Sequence, residues 1–207
     1  MSKLLYIQAS PRKDRSYSRA VADAFVEAYK KTHQGDEVVT LDIFRMDLPA
    51  FDGAALDAKY AIMHGKTHSP EEKTAWRSIE KVIEQFKSAD KYVFAVPMWN
   101  FGIPYRLKQY FDVIAQPGYT FSFSATEGYK GLVAGKPVLV VYARGGAYGA
   151  GADIDLQKKY MELVLGFIGF KDIRSIIVEP TLAEGPDAAA KKRETAIAEA
   201  KKQAQKY

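Results

Sequence analysis

The sequence predicts a doubly wound α/β fold, in which a five-stranded parallel sheet carries helices on both faces. Five short apolar runs alternate with longer stretches of helical periodicity over the 207 residues, and no repeat or low-complexity segment interrupts them. Two of these runs are almost continuously apolar, as strands covered on both faces should be. We therefore expect one domain that spans residues 1–207.

The five apolar runs are the predicted strands, and their composition indicates where each one lies in the sheet. They are Leu4–Gln8, Val38–Ile43, Tyr92–Val96, Val138–Tyr142 and Ile173–Val178. The third and fourth runs are typical of central strands, whereas polar residues interrupt the second and fifth, which favours the edges. Right-handed crossovers then give the strand order 2-1-3-4-5, with a switch point between strands 1 and 3. We expect a ligand to bind there, beyond the carboxyl ends of the strands.

Helical periodicity predicts the elements that cover this sheet. Apolar residues recur at helical spacing over Ser16–Lys31 and over Ser69–Ser88. The second helix has a clear start, because Ser69, Pro70 and Glu72 form the signature of a capping box. An alanine-rich stretch near the C-terminus predicts a further helix, and its lysines are typical of a solvated face.

Two segments depart from the regular alternation. Leu56–Met63 has a weak helical pattern within an excursion that could pass over the site. Pro117–Gly131 contains aromatic residues alternating with polar ones, which predicts a small hairpin arm. In that arm, Phe121 and Phe123 could form an apolar wall above a bound ring or simply belong to the hairpin core, and both interpretations stay open.

The helix predicted over Leu156–Ile168 has apolar residues almost all round. A helix that covers a sheet needs a single apolar stripe, so the excess has to be buried elsewhere. We therefore expect a homodimer built partly on this helix. Asp153 and Asp155 lie beside the predicted helix start, and we expect them to cap the helix rather than to serve in acid–base chemistry.

Composition excludes several classes of protein. The chain is 47% hydrophobic and 27% charged, which is ordinary for a globular domain. It has no cysteine, which excludes a disulfide scaffold, a thiolate metal site and a cysteine nucleophile, and fits a reducing cytoplasm. No apolar run approaches the roughly 20 residues of a membrane helix, so we expect no membrane partner. Met1–Lys3 leads straight into the first strand, and we expect the mature protein to begin there.

Charge and histidine content exclude two further kinds of site. The net charge of +5 is a mild excess, and no aromatic residues interleave with the C-terminal lysines as a nucleic-acid platform would require. His64 and His68 are four residues apart, but no glutamate follows His64 as in a zinc protease. We expect neither a nucleic-acid partner nor a metal.

The first loop, Ser10–Ser18, lies between a predicted buried strand and a helix start. It lacks glycine altogether, so it is neither a dinucleotide fingerprint nor a Walker loop. The hydroxyls of Ser10, Ser16 and Ser18, together with the free amides of the helix's first turn, could surround a phosphate monoester. From the loop alone, simple capping of the helix by Ser16 or Ser18 is an equally good interpretation.

Two further loops follow central strands. Pro97–Pro104 presents apolar groups around one amide, so it could stack on a planar ring while Asn100 reads a polar edge. Ala143–Gly149 exposes the amides of Gly145 and Gly146, which could donate to a ring carbonyl that becomes negative on reduction. Three such loops would rarely surround one predicted crevice by coincidence, so together they favour a binding site.

These three segments, taken together, resemble a known family. The chain is similar throughout its length to the FMN-dependent NADH-azoreductases and NADH:quinone oxidoreductases, which have a flavodoxin-like fold. The resemblance includes Leu107–Asp112 after the second segment and Leu165–Gly169 in the presumed dimer helix. It implies noncovalent FMN, a homodimer with two sites at the subunit interface, and two-electron reduction of quinones and azo compounds by NADH or NADPH.

The resemblance also implies a set of cofactor-binding residues. Ser10, Ser16, Tyr17 and Ser18 would hold the FMN phosphate. The ring would contact the two later segments, with the residues Pro97, Met98, Trp99, Asn100, Phe101, Ala143, Arg144, Gly145, Gly146 and Tyr148. Three positions depart from the family pattern: Ala143 replaces a common serine, Trp99 a common tyrosine and Tyr148 a histidine of some members. These departures bear on substrate preference and flavin potential more than on cofactor identity.

The cofactor would supply the chemistry in a ping-pong cycle, so we name no obligatory catalytic side chain. Asn100, Gly146 and Tyr148 are the best-placed candidates to tune the ring or to supply a proton. Two alternatives remain: an FMN electron carrier of the flavodoxin type, and a flavin-free module that binds phosphate or nucleotides through the first loop.

Overall fold

The computed structural model describes residues 1–149 and 153–207. In chain order its elements are β1 (Lys3–Gln8), α1 (Tyr17–Thr32), β2 (Glu37–Asp42), α2 (Gly53–Met63), α3 (Pro70–Lys87), β3 (Lys91–Pro97), α4 (Tyr105–Ile114), β4 (Phe121–Ser124), β5 (Gly128–Gly131), β6 (Pro137–Ala143), α5 (Leu156–Ile168), β7 (Asp172–Val178) and α6 (Gly185–Ala204).

Five parallel strands form the main sheet in the spatial order β2-β1-β3-β6-β7. This is the order 2-1-3-4-5 predicted for the five apolar runs, and each strand begins and ends within one residue of its predicted bounds. The central strands β3 and β6 are buried along almost their whole length, whereas β2 and β7 have several half-buried or exposed positions. The predicted fold class, a flavodoxin-like doubly wound sheet, is confirmed.

Helices cover both faces of this sheet because side chains alternate along each strand. Leu5 and Ile7 face one apolar core, which contains residues of α3, α4 and α5. Leu4 and Tyr6 face the other core, which contains residues of α1 and α6. Strands buried on both faces need apolar residues at every position, which is why β3 and β6 read as continuous apolar runs.

The predicted helices are present, with local signals at their starts. Ser16 caps α1, and Ser69 caps α3 with a capping box that Glu72 completes. Asp155 caps α5, as expected from the sequence, whereas Asp153, expected to share this role, is exposed and lies 3.6 Å from Lys159 Nζ. The helix α4 was not among the periodic segments; it is ten residues long and follows Pro104, whose side chain makes no capping hydrogen bond.

The predicted hairpin arm is present as β4 and β5, which form a separate two-stranded antiparallel sheet. It packs against the C-terminal end of α5, where the rings of Phe121 and Phe167 lie 4.7 Å apart. The backbone contact there is close: a Cβ added at Gly131 would lie 2.3 Å from the Cα of Gly169. Glycine at this position therefore lets the hairpin dock directly on the backbone at the helix end.

Among residues 1–149 and 153–207, no helix has the length and apolar character needed to cross a membrane.

Replacing Gly131 by alanine should separate the hairpin from α5. A Cβ has no room between backbone atoms, so we expect Gly131→Ala to lower the free energy of unfolding by roughly 1–3 kcal/mol, the usual cost of overpacking. Gly53→Ala is the matched control, because a Cβ at Gly53 meets nothing within 4 Å. Chemical denaturation measures both, and equal stability of the two variants would contradict the close approach.

Candidate functional site

Three loops meet at the carboxyl-end edge of the sheet because β1, β3 and β6 are neighbours in it. Hydrogen bonds continue between the strands where the loops begin: the Ala9 amide donates to the Ala95 carbonyl at 3.0 Å, and the Met98 amide donates to the Ala143 carbonyl at 2.8 Å. The loops that follow β1, β3 and β6 are therefore held side by side. The structure brings together the three segments that sequence analysis selected.

The first loop contributes buried hydroxyls. Ser10, Ser16 and Ser18 are all buried, although the loop between them is exposed. Ser16 Oγ accepts a hydrogen bond from the Arg19 amide at 3.3 Å and lies 3.2 Å from Ser18 Oγ. Ser10 Oγ is buried with no hydrogen-bond partner within the described parts of the chain. Since a buried polar atom without a partner is costly, this hydroxyl has the character of a ligand-binding group.

The start of α1 adds backbone donors to these hydroxyls. Ser16 is the N-cap, so the amides of Tyr17 and Ser18 belong to the first turn and have no carbonyl within the helix to bond. The dipole of this 16-residue helix also favours negative charge at this end. The Tyr17 ring packs against the apolar core beneath α1, so the backbone amide is the group of Tyr17 that is available to a ligand.

The basic residues of the first loop lie at its surface. Lys13–Arg15 form one 3₁₀ turn that the sequence did not predict, with Lys13 at a φ of 51°. Arg12, Lys13 and Arg15 are exposed. They add positive potential outside the buried serines.

The second loop makes a tight turn with unusual backbone angles. Trp99 and Gly102 exchange two backbone hydrogen bonds, at 3.0 and 2.9 Å. Between them, Asn100 and Phe101 have φ values of 46° and 69°. Two positive φ values in a two-residue turn are the signature of type I′, where glycine is usual at the second position. A phenylalanine there carries backbone strain of the kind found at ligand sites.

The side chains of the second loop point in different directions. Asn100 and Phe101 are exposed, while Pro97 and Met98 are half-buried. The indole of Trp99 packs against other aromatic rings of the same chain, 5.7 Å from Phe44 and 6.2 Å from Tyr105 between centroids. The sequence did not indicate this packing.

A cleft of about 530 Å³ opens beside this turn. Its lining includes Trp99 and Asn100 from the second loop, together with Leu156 and Tyr160 from α5. Burial raises the pKa of Tyr160 to about 12, so its hydroxyl stays protonated and can donate a hydrogen bond at neutral pH. The cleft thus joins the second loop to the helix expected to form a subunit interface.

The third loop presents backbone donors. The Gly145 carbonyl accepts hydrogen bonds from the amides of Leu182 and Ala183, at 3.0 and 3.1 Å. The amides of Gly145 and Gly146, by contrast, donate to no backbone acceptor in the described residues. The Tyr148 ring packs beside Gly146 and lies 6.5 Å from the Phe101 ring, edge to face. The second and third loops therefore touch through these aromatic side chains.

Two residues of the third segment are turned into the protein. Ala143 is 8% exposed and Arg144 only 1% exposed. The Arg144 guanidinium contacts Asp155, Gln157 and Glu179, so any contact with a ligand would come from its backbone. Sequence analysis placed Arg144 in the binding segment but did not find Gln157 or Glu179. A signal for Glu179 existed, because it directly follows β7 at the same sheet edge.

The aromatic residues of the hairpin arm are divided between two roles. Phe121 is half-buried against Phe167, which is ordinary packing. Phe123 is 63% exposed and contacts the Tyr129 ring at 4.9 Å. Of the two phenylalanines, Phe123 therefore keeps an exposed face, while Phe121 does not.

Neither a metal cluster nor an acid–base pair is evident at the three loops. No group of three or more His, Asp or Glu side chains in the described residues could hold a metal ion. Burial, the nearby Glu162 and Asp155 raise the pKa of the Tyr142 hydroxyl well above its usual range, while Arg144 opposes them, so it does not ionise at neutral pH. The arrangement offers hydroxyls, free amides and flat apolar surfaces, which suit a phosphorylated planar ligand.

Comparison with known proteins agrees with this arrangement. A family described by its flavodoxin-like fold matches residues 2–204. The chain is 55% identical over 210 residues, covering 100% of both chains, to the FMN-dependent NADH:quinone oxidoreductase of Nitratidesulfovibrio vulgaris strain DP4. The azoreductase structure from Bacillus anthracis strain Sterne superposes with a TM-score of 0.91 at 32% identity, covering 100% of both chains.

A second solved structure contains the cofactor. It is an FMN-dependent NADH-azoreductase from Bacillus anthracis strain Ames Ancestor in complex with FMN, with a TM-score of 0.90 and 29% identity, covering 100% of this chain and 99% of the other. The resemblance drawn from the three sequence segments is thereby confirmed. This chain belongs to the family with the flavodoxin-like fold that includes the FMN-dependent NADH:quinone oxidoreductases and NADH-azoreductases.

Proposed function

We propose that this protein is an FMN-dependent oxidoreductase that transfers two electrons from NADH or NADPH to quinones and azo compounds. The names of its relatives, at up to 55% identity over the whole chain, favour this function. The structural observation that carries it is the buried Ser10 hydroxyl, which has no partner in the described residues although it lies at the carboxyl end of β1.

The first loop fits the phosphate of FMN. A phosphate monoester presents several strong acceptor oxygens, and the donors here are the hydroxyls of Ser10, Ser16 and Ser18 and the free amides of Tyr17 and Ser18. The phosphate would satisfy the Ser10 hydroxyl that otherwise stays unpaired. Ser16 also caps the helix, so capping and phosphate binding are compatible roles rather than alternatives.

The second and third loops fit the flavin ring. The backbone from Pro97 to Phe101 would lie along the ring, and Asn100 would read its polar edge. The amides of Gly145 and Gly146 would donate hydrogen bonds to the pyrimidine edge of the ring. The backbone of Ala143 and Arg144 and the side chain of Tyr148 would contact the ring beside them. FMN bound there would supply the two-electron chemistry, which overall converts NADH, a proton and a quinone into NAD⁺ and a hydroquinone.

Donor and acceptor would occupy the same open face of the site in turn, which is a ping-pong cycle. The exposed side chains of Asn100 and Phe101 and the cleft beside them leave room for a flat molecule. No side chain is required as an acid or base, since the acceptor's proton can come from water or from the Tyr148 hydroxyl. The site would lie in one domain, residues 1–207, of a protein of the reducing cytoplasm, which suits the absence of cysteine.

A homodimer would complete the site. On α5, Leu156, Tyr160, Leu163 and Phe167 recur at spacings of four, three and four residues, which places them in one stripe. Leu156 is 55% and Leu163 71% exposed, so these two leucines are not covered within the described residues, whereas Tyr160 and Phe167 are half-buried. Because Leu156 and Tyr160 also line the cleft, a second subunit seated on α5 would lie beside the ring.

The decisive experiment is an absorption spectrum of the purified protein, followed by anaerobic titration with each nicotinamide nucleotide. We expect a flavin spectrum that is bleached by about one equivalent of NADH or NADPH per site, because each nucleotide delivers one electron pair. Steady NADH oxidation with a soluble quinone and no other protein would exclude a flavodoxin-type carrier. A colourless protein that takes up no FMN would contradict the proposal and favour the flavin-free module.

Removing two hydroxyls from the first loop tests the phosphate assignment. We expect Ser16→Ala combined with Ser18→Ala to raise the Kd for FMN by at least roughly 100-fold, since each of the two hydrogen bonds to a charged group contributes about 1.5–3 kcal/mol. Fluorescence titration of the apoprotein measures the Kd. Ser69→Ala is the matched control, because it removes the N-cap of α3 and leaves all three loops intact. Equal FMN affinity in the double variant and the control would refute the assignment.

A charge on the exposed stripe of α5 tests the dimer. We expect Leu163→Glu to convert the dimer to a monomer at micromolar concentration, because a carboxylate would be buried without a partner in the interface. Ile177→Glu is the control, since Ile177 is an exposed apolar residue of β7 in a cleft beside α6. Sedimentation equilibrium distinguishes the species, and a wild-type monomer would show that α5 forms no such interface.

A further inference from the structure

Arg144 is a buried cation that the proposed chemistry does not use. It immediately precedes Gly145 and Gly146, and only 1% of its surface is exposed. Its Nε donates to Gln157 Oε1 at 3.0 Å, its Nη1 donates to Glu179 Oε2 at 3.2 Å, and its Nη2 lies 2.7 Å from Asp155 Oδ2. One guanidinium thus holds three side chains from outside its own loop.

Each of these three side chains is tied to a different part of the site. Gln157 Nε2 donates to the Val96 carbonyl at 2.9 Å, next to the loop that follows β3. Asp155 Oδ1 accepts from the Lys158 amide at 3.0 Å and so caps α5. Glu179 Oε2 accepts from the Tyr148 amide at 3.2 Å, beyond the two glycines. Arg144 therefore links both proposed ring-contacting loops to the start of α5.

The backbone of Arg144 is fixed as firmly as its side chain. Its amide donates to the Val178 carbonyl at 3.1 Å, and its carbonyl accepts from both the amide and the hydroxyl of Thr181, each at 2.9 Å. The Gly145 carbonyl is also occupied, by the amides of Leu182 and Ala183. The amides of Gly145 and Gly146, by contrast, donate to no backbone acceptor in the described residues, so they are available to a ligand.

Stability alone is a weak explanation for this network. A buried ion pair often contributes no more than a well-packed apolar group, because desolvation of the charges offsets their attraction. A network that joins the ends of β3, β6 and β7 to α5 instead fixes the direction of the glycine amides. Donors fixed in advance stabilise a charge where it develops, since they need not reorganise when it appears.

Resting on the proposed function, we infer that Arg144 is a positioning residue: it orients the Gly145 and Gly146 amides so that they bind reduced FMN more tightly than oxidised FMN. Reduction places negative charge on the ring edge that these amides would face. Loosening the loop therefore weakens binding of the reduced form more than that of the oxidised form, and the midpoint potential of bound FMN falls.

Two variants distinguish an orienting role of Arg144 from an effect of its positive charge alone. Arg144→Lys keeps the positive charge but cannot make three directed contacts, because an ammonium on a flexible stem lacks the planar fork of arginine. Gln157→Leu leaves Arg144, Asp155 and Glu179 charged and paired but removes the link to Val96. This second variant keeps the test open if Arg144→Lys fails to fold. If charge alone mattered, neither variant would move the potential.

Lys91→Met is the matched control. Lys91 belongs to another partly buried charged cluster, in which its Nζ donates to the Tyr29 hydroxyl at 2.9 Å and lies 3.9 Å from Asp36 Oδ2. It is the first residue of β3, so it lies at the amino ends of the strands, whereas the three loops lie at their carboxyl ends. Its loss should lower the thermal stability without changing the environment of the ring.

The experiment measures the two-electron midpoint potential by dye equilibration, the Kd for oxidised FMN and the Tm of each holoprotein. For Arg144→Lys we expect the ratio of the Kd for reduced FMN to that for oxidised FMN to rise about tenfold, which equals a fall of about 30 mV for a two-electron couple. Gln157→Leu should shift the potential in the same direction, and Lys91→Met should lower the Tm alone.

Three results would overturn the inference, and they differ in what else they refute. Normal FMN binding with the wild-type potential in Arg144→Lys and Gln157→Leu would refute the positioning role and leave the proposed function intact. So would an equal shift in Lys91→Met. A wild-type protein that binds no FMN would refute the proposed function and the positioning role together.

Discussion

The lateral pairing of β1, β3 and β6 is the constraint on which the rest of the structure depends. Parallel strands have their carboxyl ends at one edge of the sheet, and the order β2-β1-β3-β6-β7 makes these three strands neighbours. The loops that follow β1 and β6 are therefore held on either side of the loop that follows β3, through backbone hydrogen bonds between adjacent strands. A crossover strand inserted between any two of them would separate the hydroxyls from the glycine amides.

Two buried polar groups near the three loops, Arg144 and the Ser10 hydroxyl, differ in their hydrogen bonding. Arg144 is buried, with hydrogen bonds to Gln157 and Glu179 and an ion pair to Asp155, whereas Ser10 Oγ has no hydrogen-bond partner in the described residues. The protein interior tolerates unpaired polar atoms poorly, so these two cases indicate different roles. The contacts of Arg144 hold neighbouring segments together, whereas the Ser10 hydroxyl at the end of β1 is available to a ligand.

The second loop is held in its conformation by aromatic packing. Phe101 adopts a positive φ that its side chain disfavours, and the neighbouring Trp99 is held between Phe44 and Tyr105. The packed indole anchors the turn and so keeps Phe101 in this conformation. The exposed side chains of Asn100 and Phe101 are thereby presented at the edge of the cleft. A turn held by such contacts needs little reorganisation to bind a flat ring.

The sequence by itself determined the fold class, the strand order, the bounds of the strands and which three loops meet at the carboxyl ends of the central strands. It could do so because these features depend on local patterns: apolar runs, capping signals such as Ser69 with Glu72, and loops that directly follow strands. The helix α4 was not predicted because it is short and follows a proline, which makes no capping hydrogen bond to mark the helix start.

The tertiary structure alone decided where individual side chains point. Arg144 stands in a segment predicted to bind a cofactor, yet its side chain turns inward to Asp155, Gln157 and Glu179, which lie 11, 13 and 35 residues further along the chain. Trp99 likewise packs on Phe44 rather than standing free. Such contacts join residues that no sequence period relates, because their proximity exists only after the sheet and its crossovers have formed.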